Sequence, residues 1–449
     1  MDTHQKSDRP QGMERRRFIG ASAAALASLG LAGREGLAEP PSHPVQAAPE
    51  VPRIKDYRIL GRTGFKVSDI GLGGGEVTDA ALFEAVLDRG INYVDAAENY
   101  VNGQVERAVG KALKNRDRKS VFITTKLYIK DVNVAKQEVL DRTRKCLERL
   151  QSDSIDCMQM HCPSTAAVLK APGFHDAMKE LKAEGRVRFV GLSQHGSQWN
   201  DAPETMEQVL MAAAEDGRFD LALFVYNFIQ KDMGERVLKT FKEKNIGATI
   251  MKANPVGTYQ WILQEVEKVK NSGEKMPDYL PALLDRVKKV ADQADAFRDA
   301  YDLVNDSELL VAAHRFVLSH PDVHTVCCMV QNYADLDTFT SLSGTKLTAP
   351  EEKKLTAYAA THGQFYCRHA CGECEASCPR GVPVNAIMRF RHYFSAQGRE
   401  KHAMAEYADL GAGRADQCAG CPGHCQKACP YGIPIQAMLA LAHQTLTLA

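Results

Sequence analysis

The chain of 449 residues has no surplus of charge: 56 Lys and Arg stand against 56 Asp and Glu. It has no block of like charge. A nucleic acid or an anionic membrane needs a basic face, so neither is expected as a partner. There is also no apolar run of roughly 18–20 residues, the length a membrane-spanning helix requires. The stretch from Gly20 to Gly33 is shorter and rich in Ala and Gly. A G-x-G-x-x-G dinucleotide loop is missing, and no flavin motif is visible; "GLGGGE" at residues 71–76 is weak evidence of phosphate binding.

The N-terminus reads as a targeting segment. Arg15, Arg16, Arg17, Phe18 and Ile19 fit a twin-arginine pattern. Gly36-Leu37-Ala38 offers a cleavage site, and Ala47 a second one. The expected division is a signal peptide over 1–38 and a Pro-rich linker over 39–56. The bland alternative is a frayed basic tail followed by a helix. The export reading gives a periplasmic or otherwise exported protein, with the twin-arginine translocase as a transient partner.

Thirteen cysteines in an exported chain would ordinarily suggest disulfides. Their distribution argues against it. Cys146, Cys157, Cys162, Cys327 and Cys328 are scattered. The other eight form two quartets: Cys367, Cys371, Cys374 and Cys378, then Cys418, Cys421, Cys425 and Cys429. Each quartet ends in Cys-Pro. Doubled quartets with such gaps suit two [4Fe–4S] clusters. Two four-thiolate zinc sites are the competing reading. The segment between the quartets reads as helical, from the spacing of Ile387, Phe390 and Phe394, then Met404 and Tyr407. This region resembles the all-helical two-cluster ferredoxin domains of respiratory enzymes. That resemblance implies crossed ligation, with Cys429 joining Cys367, Cys371 and Cys374, and Cys378 joining the second quartet. Clusters are inserted before export, and the twin-arginine route carries folded cargo, so signal and cysteines explain each other.

Between residues 57 and 345, eight short apolar runs alternate with helical patterns. This predicts an α/β fold, a parallel (β/α)₈ (TIM) barrel, with a small all-helical iron–sulfur domain over 346–449. "YRILGRTGFKVS" predicts a leading hairpin. A charged helical insertion at about 256–308 is too long for an ordinary barrel connection. It is expected to cover the barrel mouth or to meet the cysteine domain.

Barrel chemistry sits at the C-terminal ends of strands. Those ends carry Asp95, Lys126 and His161, with Tyr100 in the loop after Asp95. Each alone is more often structural; four ionisable groups at neighbouring strand ends point to catalysis. A carbonyl receiving hydride develops negative charge on oxygen, which needs a proton and donors. Tyr100 would be the acid, Lys126 would lower its pKa, Asp95 would hold Lys126, and His161 would orient the carbonyl.

These residues, with "DAAENYVNGQVERAVGKAL", resemble the aldo/keto reductase signature. The resemblance covers about residues 57–345. It implies interconversion of a small-molecule carbonyl and alcohol, NADP(H) or NAD(H) as carrier, and cofactor contacts from Ser193 and Asn227. Departures accompany it. Leu223 stands where the family has Gln, Ala253 or Lys252 where it has a stacking aromatic, and "CCMVQNYADLD" lacks the usual Lys or Arg. Two further readings therefore stand: an oxidoreductase fed through its clusters by an external redox partner, and a non-enzymatic electron-transfer module.

Overall fold

The computed structural model describes residues 51–196, 204–256, 260–271, 278, 280–300 and 307–447. The expected signal peptide and most of the expected linker lie outside them.

The hairpin forms as expected. Strands β1 (Tyr57–Ile59) and β2 (Lys66–Ser68) pair antiparallel. Gly61 turns the chain at φ 47°, and a Cβ there would meet the backbone of Gly247 at 2.4 Å, so only glycine fits. Leu60 and Val67 pack with Tyr93, Phe122, Cys157 and Leu221 in one buried cluster. These apolar side chains plug one end of the barrel and leave chemistry to the other.

The barrel strands are β3 (Ile70–Gly73), β4 (Tyr93–Asp95), β5 (Phe122–Leu127), β6 (Ile155–His161), β7 (Val187–Gln194), β8 (Leu221–Val225), β9 (Gly247–Met251) and β10 (Thr325–Cys328). They close in sequence order, β10 pairing β3. All pairings are parallel. Each predicted apolar run supplies one strand. The residues are buried almost throughout, as a parallel sheet covered on both faces demands. The helix Lys136–Leu150 shows how the outer ring attaches: Val139, Leu140, Thr143, Cys146 and Leu150 form its buried stripe.

The insertion forms two helices, Gln260–Asn271 and Leu280–Ala300. Ile262, Leu280, Leu283, Val287 and Val290 share one core with Ile387, Phe390, Tyr407, Met438 and Leu441. The insertion thus meets the cysteine domain, which otherwise consists of the helices Val384–Gln397, Glu400–Asp409, His424–Ala428 and Ile435–Leu446. The helical stretch expected between the quartets is broken by Gly398, left-handed at φ 64°.

Two expected boundaries move. Residues 53–56 are tied down rather than a linker: the Ile54 amide donates to the Arg89 carbonyl, and Ser343 Oγ accepts from Lys55 and Asp56. The helix Ala349–His362 belongs to the barrel rather than to the cysteine domain. Its Leu355 and Tyr358 pack on Phe228, Leu309, Ala312 and Ala313. No described helix is long and apolar enough to cross a membrane.

Candidate functional site

The four residues expected at the strand ends meet in one polar set. Lys126 Nζ donates to Asp95 Oδ2 at 2.6 Å, to the Ala96 carbonyl at 2.7 Å and to Tyr100 Oη at 3.2 Å. Thr124 Oγ1 donates to Asp95 Oδ1 at 2.9 Å. The register explains the meeting, because Asp95 lies opposite Thr124 and Lys126 follows on the same strand face. His161 ends β6 and stands edge-on to Tyr100, with ring centroids 5.8 Å apart.

The protonation states follow from burial and neighbours. Burial opposes the Lys126 ammonium, but Asp95 and Tyr100 outweigh it and raise its pKa. Burial pushes Tyr100 up to about 12, although Lys126 pulls the other way. The expectation that Lys126 brings Tyr100 below its ordinary value is therefore corrected: desolvation wins, and Tyr100 is a firmly protonated phenol. Burial, then the charges of Lys126 and Arg389, hold His161 well below the usual histidine range, so it is neutral.

Tyr128 is a neighbour that sequence reasoning missed. It stacks on His161 at 4.0 Å between centroids and places its hydroxyl 3.4 Å from His161 Nε2. Its position two residues past Lys126, on the same face of an extended chain, was the available signal.

Several non-glycine residues around this set have left-handed backbones: Val101 at φ 45°, Asn102 at 53°, Cys162 at 49° and Lys252 at 55°. Such strain persists only where surrounding structure enforces it, and it gathers at functional sites.

The set faces a cavity of about 860 Å³. Tyr100, Tyr128 and His161 form one wall, and the C-terminal domain supplies another through Tyr366, Cys367, His369, Arg389 and Tyr393. Lys252 also lines it, with Nζ 3.3 Å from His369 Nδ1. Burial, then Arg389, pushes this lysine far below its ordinary pKa. Leu223 and Ala253 line the cavity as well.

Ser193 and Asn227 do not line it. Ser193 is buried, with Oγ 4.0 Å from Cys162 Sγ. Asn227 donates to the Lys252 carbonyl and to Tyr366 Oη, both at 3.1 Å, and its Oδ1 accepts from the amides of Ile229 and Gln230. Its side chain ties the barrel to the C-terminal segment.

The eight C-terminal cysteines are all unpaired thiols. Cys367, Cys371, Cys374 and Cys429 line one small cavity. Burial raises Cys418 to about 12, with contributions from Cys425, Cys378 and Cys421. Cys429 thus lies with three thiols of the first quartet, and Cys378 lies near those of the second. Among the described residues, His161, Cys162 and His195 form a trio of donors within 4.8 Å of one another. Asn385 Nδ2 lies 3.8 Å from Cys367 Sγ, and the Val382 amide donates to Cys378 Sγ at 3.4 Å, so hydrogen bonds already reach the sulfurs. Cys367 and Asn385 line both the thiol cavity and the larger one.

The sequence profile of the aldo/keto reductase family matches residues 71–359. Among curated proteins the chain is similar to the aldo-keto reductase YhdN of Bacillus subtilis, at 28% identity over 209 residues, 42% of this chain and 60% of that one. It is also similar to the methylglyoxal reductase DkgB of Salmonella typhi, at 30% over 151 residues, 32% of this chain and 52% of that one. The chain spans about half to 60% of the length of the curated relatives it matches. Among solved structures, the holo form of an aldo-keto reductase from Bacillus halodurans aligns with a TM-score of 0.49 at 22% identity, covering 67% of this chain and 95% of that one. The profile match takes in more than half of the chain, and by it this protein belongs to the aldo/keto reductase family of oxidoreductases.

Proposed function

We propose that the protein interconverts a carbonyl and an alcohol on a small molecule at the barrel mouth, and that its C-terminal domain carries two [4Fe–4S] clusters that supply or remove the electrons. One observation carries this reading. The connected set of Asp95, Lys126, Tyr100 and His161 faces a cavity whose other wall includes Cys367, a thiol of the first quartet.

Tyr100 is protonated at neutral pH and has its hydroxyl 3.2 Å from Lys126 Nζ. It donates its proton to the oxygen of the carbonyl as charge develops there. The Lys126 ammonium, anchored by Asp95, stabilises the phenolate left behind. Neutral His161 holds the carbonyl oxygen through Nε2, and Tyr128 keeps its ring in place. Cys367, Cys371, Cys374 and Cys429 would hold the cluster nearer the mouth, and Cys378, Cys418, Cys421 and Cys425 the other. Each cluster, when bound, would exchange one electron, and a carbonyl becomes an alcohol by taking up two electrons and two protons: Tyr100 gives the proton on oxygen, and solvent entering the cavity gives the proton on carbon.

The alternative reading, hydride from NADP(H) or NAD(H), rests on family membership. The residues present fit it poorly. Ser193 and Asn227 do not line the cavity, Leu223 does, and no Lys or Arg occurs in the segment from Cys327 to Asp337. We further propose export by the twin-arginine translocase, supported by Arg15, Arg16 and Phe18, and an external redox partner outside the cytoplasm.

The test uses cluster-replete protein purified anaerobically. It should contain about eight iron and eight sulfide per chain and reduce carbonyl compounds from a reduced one-electron dye. Stoichiometric zinc without acid-labile sulfide would remove the clusters from the account. Saturable NADPH or NADH binding, with turnover on that donor alone, would replace cluster-fed chemistry with the nicotinamide reading.

A further inference from the structure

We propose that His161, Cys162 and His195 bind a single soft, monovalent metal ion, copper(I), beside the catalytic cavity. The site is separate from the cysteine quartets and does not depend on them.

The topology assembles it. His161 ends β6, Cys162 follows, and His195 follows the end of β7. These strands are neighbours, with His161 opposite Ser193. The Cys162 amide donates to the Ser193 carbonyl at 2.9 Å, which locks the two strand ends together. One donor atom from each of the three residues lies within 4.8 Å of the others.

Three observations separate this trio from ordinary buried side chains. First, exposures are 3% for His161, 1% for Cys162 and 8% for His195, so water does not serve them freely. Second, His161 Nδ1 and His195 Nδ1 are both enclosed without a hydrogen-bond partner. Leaving a buried polar atom unsatisfied is costly, and two such atoms in one trio call for a shared partner. The nearby amide of Gln194 is not that partner. Its Nε2 donates to the Pro163 carbonyl and its Oε1 accepts from the Gly196 amide. Third, Cys162 is held at φ 49°, a conformation its side chain disfavours.

The donor set names the ligand class. One thiolate and two imidazoles select soft or borderline ions over oxygen-seeking magnesium or calcium. Charge narrows the choice. Arg389 Nη1 donates to the His195 carbonyl at 3.3 Å, and Lys126 adds a second cation beside His161. A divalent ion with one thiolate would leave a net positive charge among these cations. A monovalent ion with one thiolate leaves none. An ion on His161 Nδ1 also forces the ring proton onto Nε2, the nitrogen beside Tyr128, and so fixes His161 as a donor towards the cavity.

The experiment offers copper(I) to the cluster-replete full chain under anaerobic conditions, buffered by a chromophoric copper(I) chelator. Wild type should withdraw one copper per chain. Cys162→Ser and His195→Gln should each weaken this withdrawal by roughly tenfold or more. Iron and sulfide contents report whether each variant is intact. X-ray absorption at the copper edge should show one sulfur and two nitrogens as nearest neighbours. No withdrawal by wild type, withdrawal unchanged in both intact variants, or stoichiometric retention of zinc(II) in preference to copper(I), overturns the proposal.

Discussion

Asp95 and Lys126 form an ion pair at 2.6 Å inside the barrel, with side chains 3% and 1% exposed. Removing one partner of a buried pair leaves an uncompensated charge, at a cost of about 3–5 kcal/mol. Lys126→Met should therefore lower stability by about that amount as well as abolish turnover. Chemical denaturation checks it. A variant within about 1 kcal/mol of wild type would mean that water reaches Asp95, contrary to the packing seen.

Histidines at the mouth set an acid limit. Burial holds His161, His195 and His369 well below their ordinary value, His392 down to about 3 and His402 to about 4. Each is neutral when folded and takes up a proton when unfolded below about pH 6.5. Unfolding thus binds protons there, and stability should fall steadily as pH drops from about 6.5 towards 4. Tyr100 acts in the other direction: raised from 10.0 to about 12, it withdraws stability as pH climbs through that window. Denaturation midpoints from pH 7.5 to 4.5, at constant iron content, test the acid limb. A flat profile would contradict neutral, buried imidazoles.

The proposed exchange of fourth cysteines can be read by spectroscopy. Cys429→Ser should damage the cluster proposed on Cys367, Cys371 and Cys374, and Cys378→Ser the one proposed on Cys418, Cys421 and Cys425. Electron paramagnetic resonance of the reduced variants distinguishes the two. Damage confined to the mutated residue's own sequence quartet would show local ligation instead.

Asn385 reaches Cys367 Sγ at 3.8 Å and also donates to the Arg368 carbonyl at 2.7 Å. Hydrogen bonds to cluster sulfurs raise reduction potential. Asn385→Ala should lower the potential of the cluster proposed nearer the mouth and leave the other unchanged in a redox titration. Equal shifts in both would mean a general loosening of the domain.

Much of this architecture was legible in the sequence, for identifiable reasons. The eight barrel strands are short apolar runs between amphipathic helices, and the parallel closure follows from that alternation. Asp95, Lys126 and His161 were found because barrel chemistry clusters at strand ends, and the thiols because their spacing is local. The roof was not legible. Arg389, His392 and Tyr393 line the cavity from a helix whose Ile387 and Phe390 share a core with Ile262 and Leu283 of an insertion distant in sequence. The protonation of Tyr100 is hidden for a related reason: burial outweighs Lys126, and sequence shows the charge but not the burial. The apolar spacing hides the helix end at Gly398, although a glycine after an amphipathic stretch is a common helix end.

The most direct test of the account is single-turnover carbonyl reduction by the dye-reduced, cluster-replete protein, comparing wild type with Tyr100→Phe. The substitution removes one hydroxyl and little volume, so iron content and folding should be retained. The account predicts a rate lowered by about 10²–10⁴ with cluster reduction unimpaired, because the developing alkoxide has lost its acid. Reduction of the carbonyl at the wild-type rate by Tyr100→Phe would contradict it, and would place the chemistry elsewhere than at the barrel mouth.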